Sequence, residues 1–79
     1  MQPIHPEVES IFQKILSDPT LTLTDETTHA NLFQWDSLTH MLIILEIENR
    51  FNIRFTVTEV AHARDIRTLK SFISMKTGS

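Results

Sequence analysis

Ser37 is the residue of this chain whose setting could support chemistry. It follows Asp36 directly and opens an apolar run that continues to Phe51. Aspartate is a preferred helix N-cap, because its carboxylate accepts from the free N–H groups of the first turn. The Ser37 hydroxyl therefore falls at a helix N-terminus. Unpaired N–H groups and the positive end of the helix dipole favour a negative group there, such as a phosphate. Capping alone also accounts for an Asp-Ser pair at a helix start. Nucleophilic catalysis has less behind it. His40 lies on the same helix side as Ser37, which allows an acid–base role. There is no Gly-x-Ser-x-Gly turn, no evident oxyanion hole and no acid at a recognisable spacing. No catalytic residue is assigned.

The other reactive side chains exclude more than they suggest. The sequence has no cysteine, so it forms no disulfide or thiolate zinc site and carries no thioester on a thiol of its own. His5, His29, His40 and His62 show no metal-ligand spacing. His40 and His62 read as surface or loop-contacting residues. Trp35, the single tryptophan, reads as an apolar anchor fixing the chain just before the helix cap, and it could also shape the surface beside Ser37. A net charge of -3 without a basic stripe argues against a nucleic-acid partner. The longest apolar run, residues 41–45, is far too short to span a membrane. The first residues form neither a basic segment nor an apolar signal region, so a cytoplasmic protein is expected.

The elements that must position Ser37 follow from apolar periodicity. A chain of 79 residues with 41% hydrophobic residues suits one small domain, residues 1–79, with a single core. Val8, Ile11, Phe12, Ile15 and Leu16 recur at helical spacing, which predicts a helix over about 6–17, with Pro6 at its first position and Pro19 beyond its end. The opposite face, with Glu7, Glu9, Gln13 and Lys14, is polar and calls for no functional explanation. Residues 20–34 lack periodicity and read as a long loop pinned on the core by Leu21, Leu23, Leu32 and Phe33. Leu21-Thr22-Leu23 alternates like a strand but has nothing to pair with.

A second helix over 37–50 carries two apolar stripes. Ile43, Ile44, Ile47 and Phe51 form the core stripe. Leu38, Met41, Leu42 and Leu45 form another, on the Ser37 side, with Glu48 interspersed; it is either covered by the loop or exposed to a partner. Thr39, Glu46 and Arg50 fill the polar face. Asn52 can replace glycine at the helix end. Thr56 and Glu59 have capping-box spacing and open a short helix over 57–63. A last helix over 67–76 buries Leu69, Phe72 and Ile73, with Ile66 at its start. Lys70 and Lys76 suit its C-terminal dipole, and Gly78 follows it. The expected fold is all-α: a small four-helix bundle with three main helices, one short one and a long first loop.

Asp36-Ser37-Leu38, followed by the run from Met41 to Phe51, resembles the signature of acyl carrier proteins. The likeness extends to the first helix, the long loop, Phe51-Asn52-Ile53-Arg54-Phe55, and Ile66-x-Thr68-Leu69-x-x-Phe72-Ile73 in the last helix. The Trp-Asp-Ser-Leu-Thr-His form is similar to that of stand-alone bacterial carriers. The resemblance implies a four-helix acyl-carrier fold and no enzymatic activity. It also implies 4′-phosphopantetheine, donated from coenzyme A by a phosphopantetheinyl transferase and held covalently on Ser37, with Asp36 and Leu38 flanking it. Further partners would be an acyl- or aminoacyl-loading ligase and downstream transferases or synthases of fatty acid, polyketide or specialised-metabolite biosynthesis, meeting a monomeric carrier.

Trp35, Met41, Leu42, Leu45 and Glu48 are the expected partner face. An acidic position typical of the family falls on Leu42, while His40 and Arg50 dilute the charge. Partner binding should then lean on apolar contact and respond weakly to salt, with Glu46, Glu48, Asp25 and Glu26 still available. Large core residues point to a small or uncovered cargo. The competing reading is an unmodified helical module that binds a partner through the same apolar stripe.

Overall fold

A helix that buries residues at three- and four-residue spacing begins the chain. The computed structural model describes residues 3–78; Met1, Gln2 and Ser79, the ends of the expected 1–79 domain, lie outside the described residues. Helix α1, Ile4–Ile15, buries Val8, Ile11 and Phe12. It starts ahead of the expected position, capped by Pro3, so Pro6 sits inside the first turn. All N–H groups of that turn lack intrahelical acceptors, so proline costs little throughout it. The helix also ends before Pro19. Ser17 adopts the left-handed conformation, φ 54°, and its N–H reaches the Lys14 carbonyl at 3.3 Å. The Asp18 N–H reaches Gln13 O at 3.0 Å. This is a Schellman closure built on serine instead of glycine.

Helix α2, Ser37–Phe51, sets its core stripe of Ile43, Ile44, Ile47 and Phe51 into the interior. Asn52 ends it in the left-handed conformation, and the N–H groups of Asn52 and Ile53 both reach the Glu48 carbonyl. Helix α3, Val57–His62, opens with the expected Thr56–Glu59 capping box. Helix α4, Ile66–Thr77, is capped by Asp65, which accepts from the Thr68 N–H at 2.7 Å, and closes on Gly78, φ 75°. Helix α1 packs on both α2 and α4, and Ile66, Leu69 and Ile73 complete the core. Each such aliphatic side chain contributes about 1.5–3 kcal/mol on burial.

The described residues contain no strand, only an isolated bridge between Thr28 and Asp65. The long loop is held differently from expectation. Leu23 is buried and Leu21 and Leu32 partly so, but Phe33 is 86% exposed and pins nothing. The polar face of α1 supplies the missing restraint. The Glu9 carboxylate accepts from the Leu23 N–H at 2.9 Å, and Gln13 Nε2 donates to Leu21 O at 2.9 Å. His5 Nε2 donates to Leu23 O at 3.1 Å while its Nδ1 faces Lys70 Nζ at 3.0 Å. A loop lying over a core must satisfy its backbone groups, and nearby polar side chains do so here.

Candidate functional site

The start of α2 is fixed by a reciprocal cap. Thr39 N–H donates to Asp36 Oδ1 at 3.0 Å, and Asp36 N–H donates to Thr39 Oγ1 at 2.9 Å. The Thr39 hydroxyl in turn donates to Gln34 O at 2.9 Å, tying the incoming chain to the first turn. The Thr39 N–H above all holds the Asp36 carboxyl below the usual carboxylate range, so it stays ionised. Thr39 falls on the polar face of α2, and its place three residues after the cap is the capping-box signal, with threonine in place of glutamate.

Ser37 is the first helical residue and is exposed. Among the described residues its hydroxyl makes no hydrogen bond. His40 does not serve it as a base. The ring is 5% exposed, so of the two expected placements, surface or loop-contacting, it takes the second, against Trp35. Trp35 Nε1–H donates to His40 Nδ1 at 2.9 Å, so the imidazole proton sits on Nε2 and is donated to Val60 O at 2.8 Å. Both nitrogens are spent on holding the pre-helix segment and α3 against α2. Nothing in the local sequence pattern marks this, because the Val60 carbonyl comes from another helix.

Trp35 is buried and meets Phe12 edge-on, ring centroids 4.8 Å apart. That fits its role as anchor and removes it from the expected partner face. Glu48 leaves that face too. Its Oε2 accepts from the Phe55 N–H at 2.8 Å, because the chain doubles back after α2 and leaves that N–H in need of an acceptor.

The acids expected to be free are also engaged. Glu46 accepts from Lys14 and Arg50, at 3.2 and 3.3 Å. Lys14 above all holds it below the usual carboxylate range. Asp25 lies 2.6 Å from Lys70, and Glu26 2.8 Å from Arg67, though Glu26 stays largely exposed.

The remaining apolar stripe is open. Leu38, Met41, Leu42 and Leu45 are all exposed, Leu38 at 72%. Val57, at the start of α3, is exposed as well and was missed, since a lone valine after a cap gives no periodic signal.

Two clefts open beside Ser37. A smaller one of about 150 Å³ is lined by His29, Trp35, Asp36, Ser37, His40 and Arg64. A wider groove of about 330 Å³ runs between α2 and α3, past Ser37, Met41, Val57, Val60 and Ala61 to Arg64. No group of three or more His, Asp or Glu among the described residues could hold a metal ion. No helix of the described residues is long and apolar enough to cross a membrane. Chemically, the site offers a hydroxyl at a capped helix tip that, among the described residues, is unengaged and has no base to activate it. It is suited to being modified by another protein.

Comparison with known proteins bears on this arrangement. A family model described as a phosphopantetheine attachment site matches residues 6–73. No curated protein matches the chain. Among solved structures, the chain is similar to a holo acyl carrier protein from Geobacter metallireducens, determined in solution by NMR. The TM-score is 0.88 at 27% identity, covering 98% of this chain and 88% of that one.

Proposed function

The chain belongs to the phosphopantetheine attachment-site family and is an acyl carrier protein, not an enzyme; from that premise we propose that Ser37 is the residue to which its phosphopantetheine is joined. The observation that supports this is the unbonded, exposed Ser37 hydroxyl at the capped tip of α2. Attachment forms one bond, from Ser37 Oγ to the phosphorus bearing the pantetheine of coenzyme A. It breaks the phosphoanhydride bond to the nucleotide, which leaves as adenosine 3′,5′-bisphosphate. The serine proton must go to a base on the phosphopantetheinyl transferase, since His40 has no free nitrogen. When bound, the group supplies the thiol that this cysteine-free chain lacks, and so the thioester.

The chain's own residues present and orient. Asp36 fixes the first turn, so the attachment point has one position relative to α2. Leu38, Met41, Leu42 and Leu45 form the surface on which we place the transferase, a loading ligase and the downstream transferases or synthases. Their exposure next to Ser37 supports this. With most acids of this region tied to cations of the same chain, docking leans on apolar burial and little on charge steering. We place this work in the cytoplasm, where coenzyme A and such enzymes meet, and with a monomer.

The test is to incubate the protein with coenzyme A and a broad-specificity phosphopantetheinyl transferase and weigh it. A single phosphopantetheine increment is expected, lost in Ser37→Ala. A wild-type protein that gains nothing would point to an unmodified interaction module, and a gain that survives Ser37→Ala would move the site elsewhere.

A further inference from the structure

The chain has seven Lys and Arg residues. Six of them, Lys14, Arg50, Arg54, Arg67, Lys70 and Lys76, lie within ion-pair distance of a carboxylate. Arg64 is the exception among the described residues. Among the described residues the guanidinium makes one hydrogen bond, from Nε to the Ala61 carbonyl at 3.2 Å, which leaves its terminal donors unused. This one unpaired guanidinium lines both clefts that open beside Ser37.

Its position is set by the fold. The long loop is stitched to the link between α3 and α4 at this residue. His29 N–H donates to Arg64 O at 3.0 Å, Ile66 N–H donates to Thr27 O at 2.9 Å, and Thr28 bridges Asp65. Ala63, just before it, is fully buried. The acid next to it in the chain and the acid that shares its smaller cleft are both occupied. Asp65 spends both carboxylate oxygens on Thr68, and Asp36 spends Oδ1 on Thr39. Asp36 nevertheless stays ionised and shares the smaller cleft with Ser37. A phosphodiester on Ser37 would meet that like charge, and Arg64 is the cation in the same cleft that offsets it.

We propose that Arg64 is a positioning residue that binds the phosphodiester of the arm on Ser37 and so sets the arm's exit along the groove between α2 and α3. The inference rests on Ser37 being the attachment point. A phosphodiester presents two non-bridging oxygens to a planar guanidinium fork, which a lysine ammonium meets only as a point charge. Because Arg64 is exposed, the pair is screened and modest. Such a pair biases a seated arm over a free one by about two- to fivefold.

The experiment compares wild-type holo-protein with Arg64→Gln and Arg64→Lys, each first weighed to establish that the arm is attached. Phosphorus NMR and the Arg64 Nε–H resonance are then followed at rising salt. Attachment should shift the Nε–H resonance, and Arg64→Gln should displace the phosphorus signal. Salt should draw the wild-type signal toward that of Arg64→Gln, and Arg64→Lys should fall between. Fully loaded variants whose phosphorus signals coincide with wild type overturn the role of Arg64 alone. Absence of any mass gain overturns the attachment site, and this inference with it.

Discussion

Replacing His40 by alanine tests the reading that this ring is structural and not chemical. The substitution strands two groups. The Trp35 indole N–H is buried, and an orphaned buried donor costs about 1–3 kcal/mol. The Val60 carbonyl is partly buried and costs less, about 1 kcal/mol. Trp35 and His40 both line the small cleft beside Ser37, so water entering there can satisfy part of what is lost. The net expectation is a loss of about 2–3 kcal/mol. Set against a total stability of about 4–12 kcal/mol for a domain of this length, that is a large fraction. In thermal unfolding it should lower Tm by about 10–20 °C.

The sharper measurement is a double-mutant cycle with Trp35→Phe, which removes the donor that His40 Nδ1 accepts. The two substitutions should be non-additive by about 1–2 kcal/mol, because the second no longer orphans a group the first has removed. Hydrogen exchange should accelerate in α3, which buries no residue fully and is tied to α2 by the His40–Val60 bond. Additive single effects, or a His40→Ala protein as stable as wild type, would refute the network. His40→Ala should still accept the arm at permissive temperature; complete loss of loading in folded protein would mean that the ring acts on Ser37 after all.

Other outcomes follow from the same geometry. Asp25, Glu46 and Glu59 are held below the usual carboxylate range, chiefly by hydrogen bonds from Lys70, Lys14 and Lys76, and Asp36 by Thr39. Depressed native values mean that their stabilisation is complete above the ordinary carboxylate range and lost as pH falls through them. Denaturant midpoints should therefore drop on acidification below that range, and less steeply at high salt; a flat profile would contradict the pairing. Ser17→Gly should raise stability by about 0.5 kcal/mol in the same assay, since glycine adopts φ 54° without the penalty serine bears. Polar substitution of the exposed Met41 and Leu45 should leave stability within about 0.5 kcal/mol. It should weaken transferase binding across all ionic strengths, and a steep salt dependence of the wild-type affinity would contradict an apolar interface.

Local spacing carried most of the fold. The apolar periodicity of Val8–Ile11–Phe12 and of Ile43–Ile44–Ile47 places both faces of the core pair, because a helix returns to the same side every three or four residues. Asp36, Thr56 and Gly78 mark helix ends through short-range bonds that any chain with those residues can form. Ser37 at the tip of α2 was legible for that reason. Its apolar neighbours were legible as a stripe, with Met41, Leu42 and Leu45 expected to face a partner and Leu38 left between loop cover and exposure.

What the spacing could not show is which polar side chains remain free once the elements cross. His40 meets a carbonyl of α3, Arg50 reaches Glu7, and Glu48 turns to the Phe55 N–H, so three residues that look available are consumed. Phe33 fails in the opposite sense: an apolar residue in an aperiodic segment has no pattern to say which side it takes, and it points outward. Sequence alone determined the helices, their caps and the serine at the start of α2, since those depend on contacts a few residues apart. Tertiary structure decided that, among the described residues, Ser37 has no base, six cations are paired, and Arg64 is brought unpaired to the same clefts. Those facts depend on segments far apart in the chain, and only packing sets the distances between them.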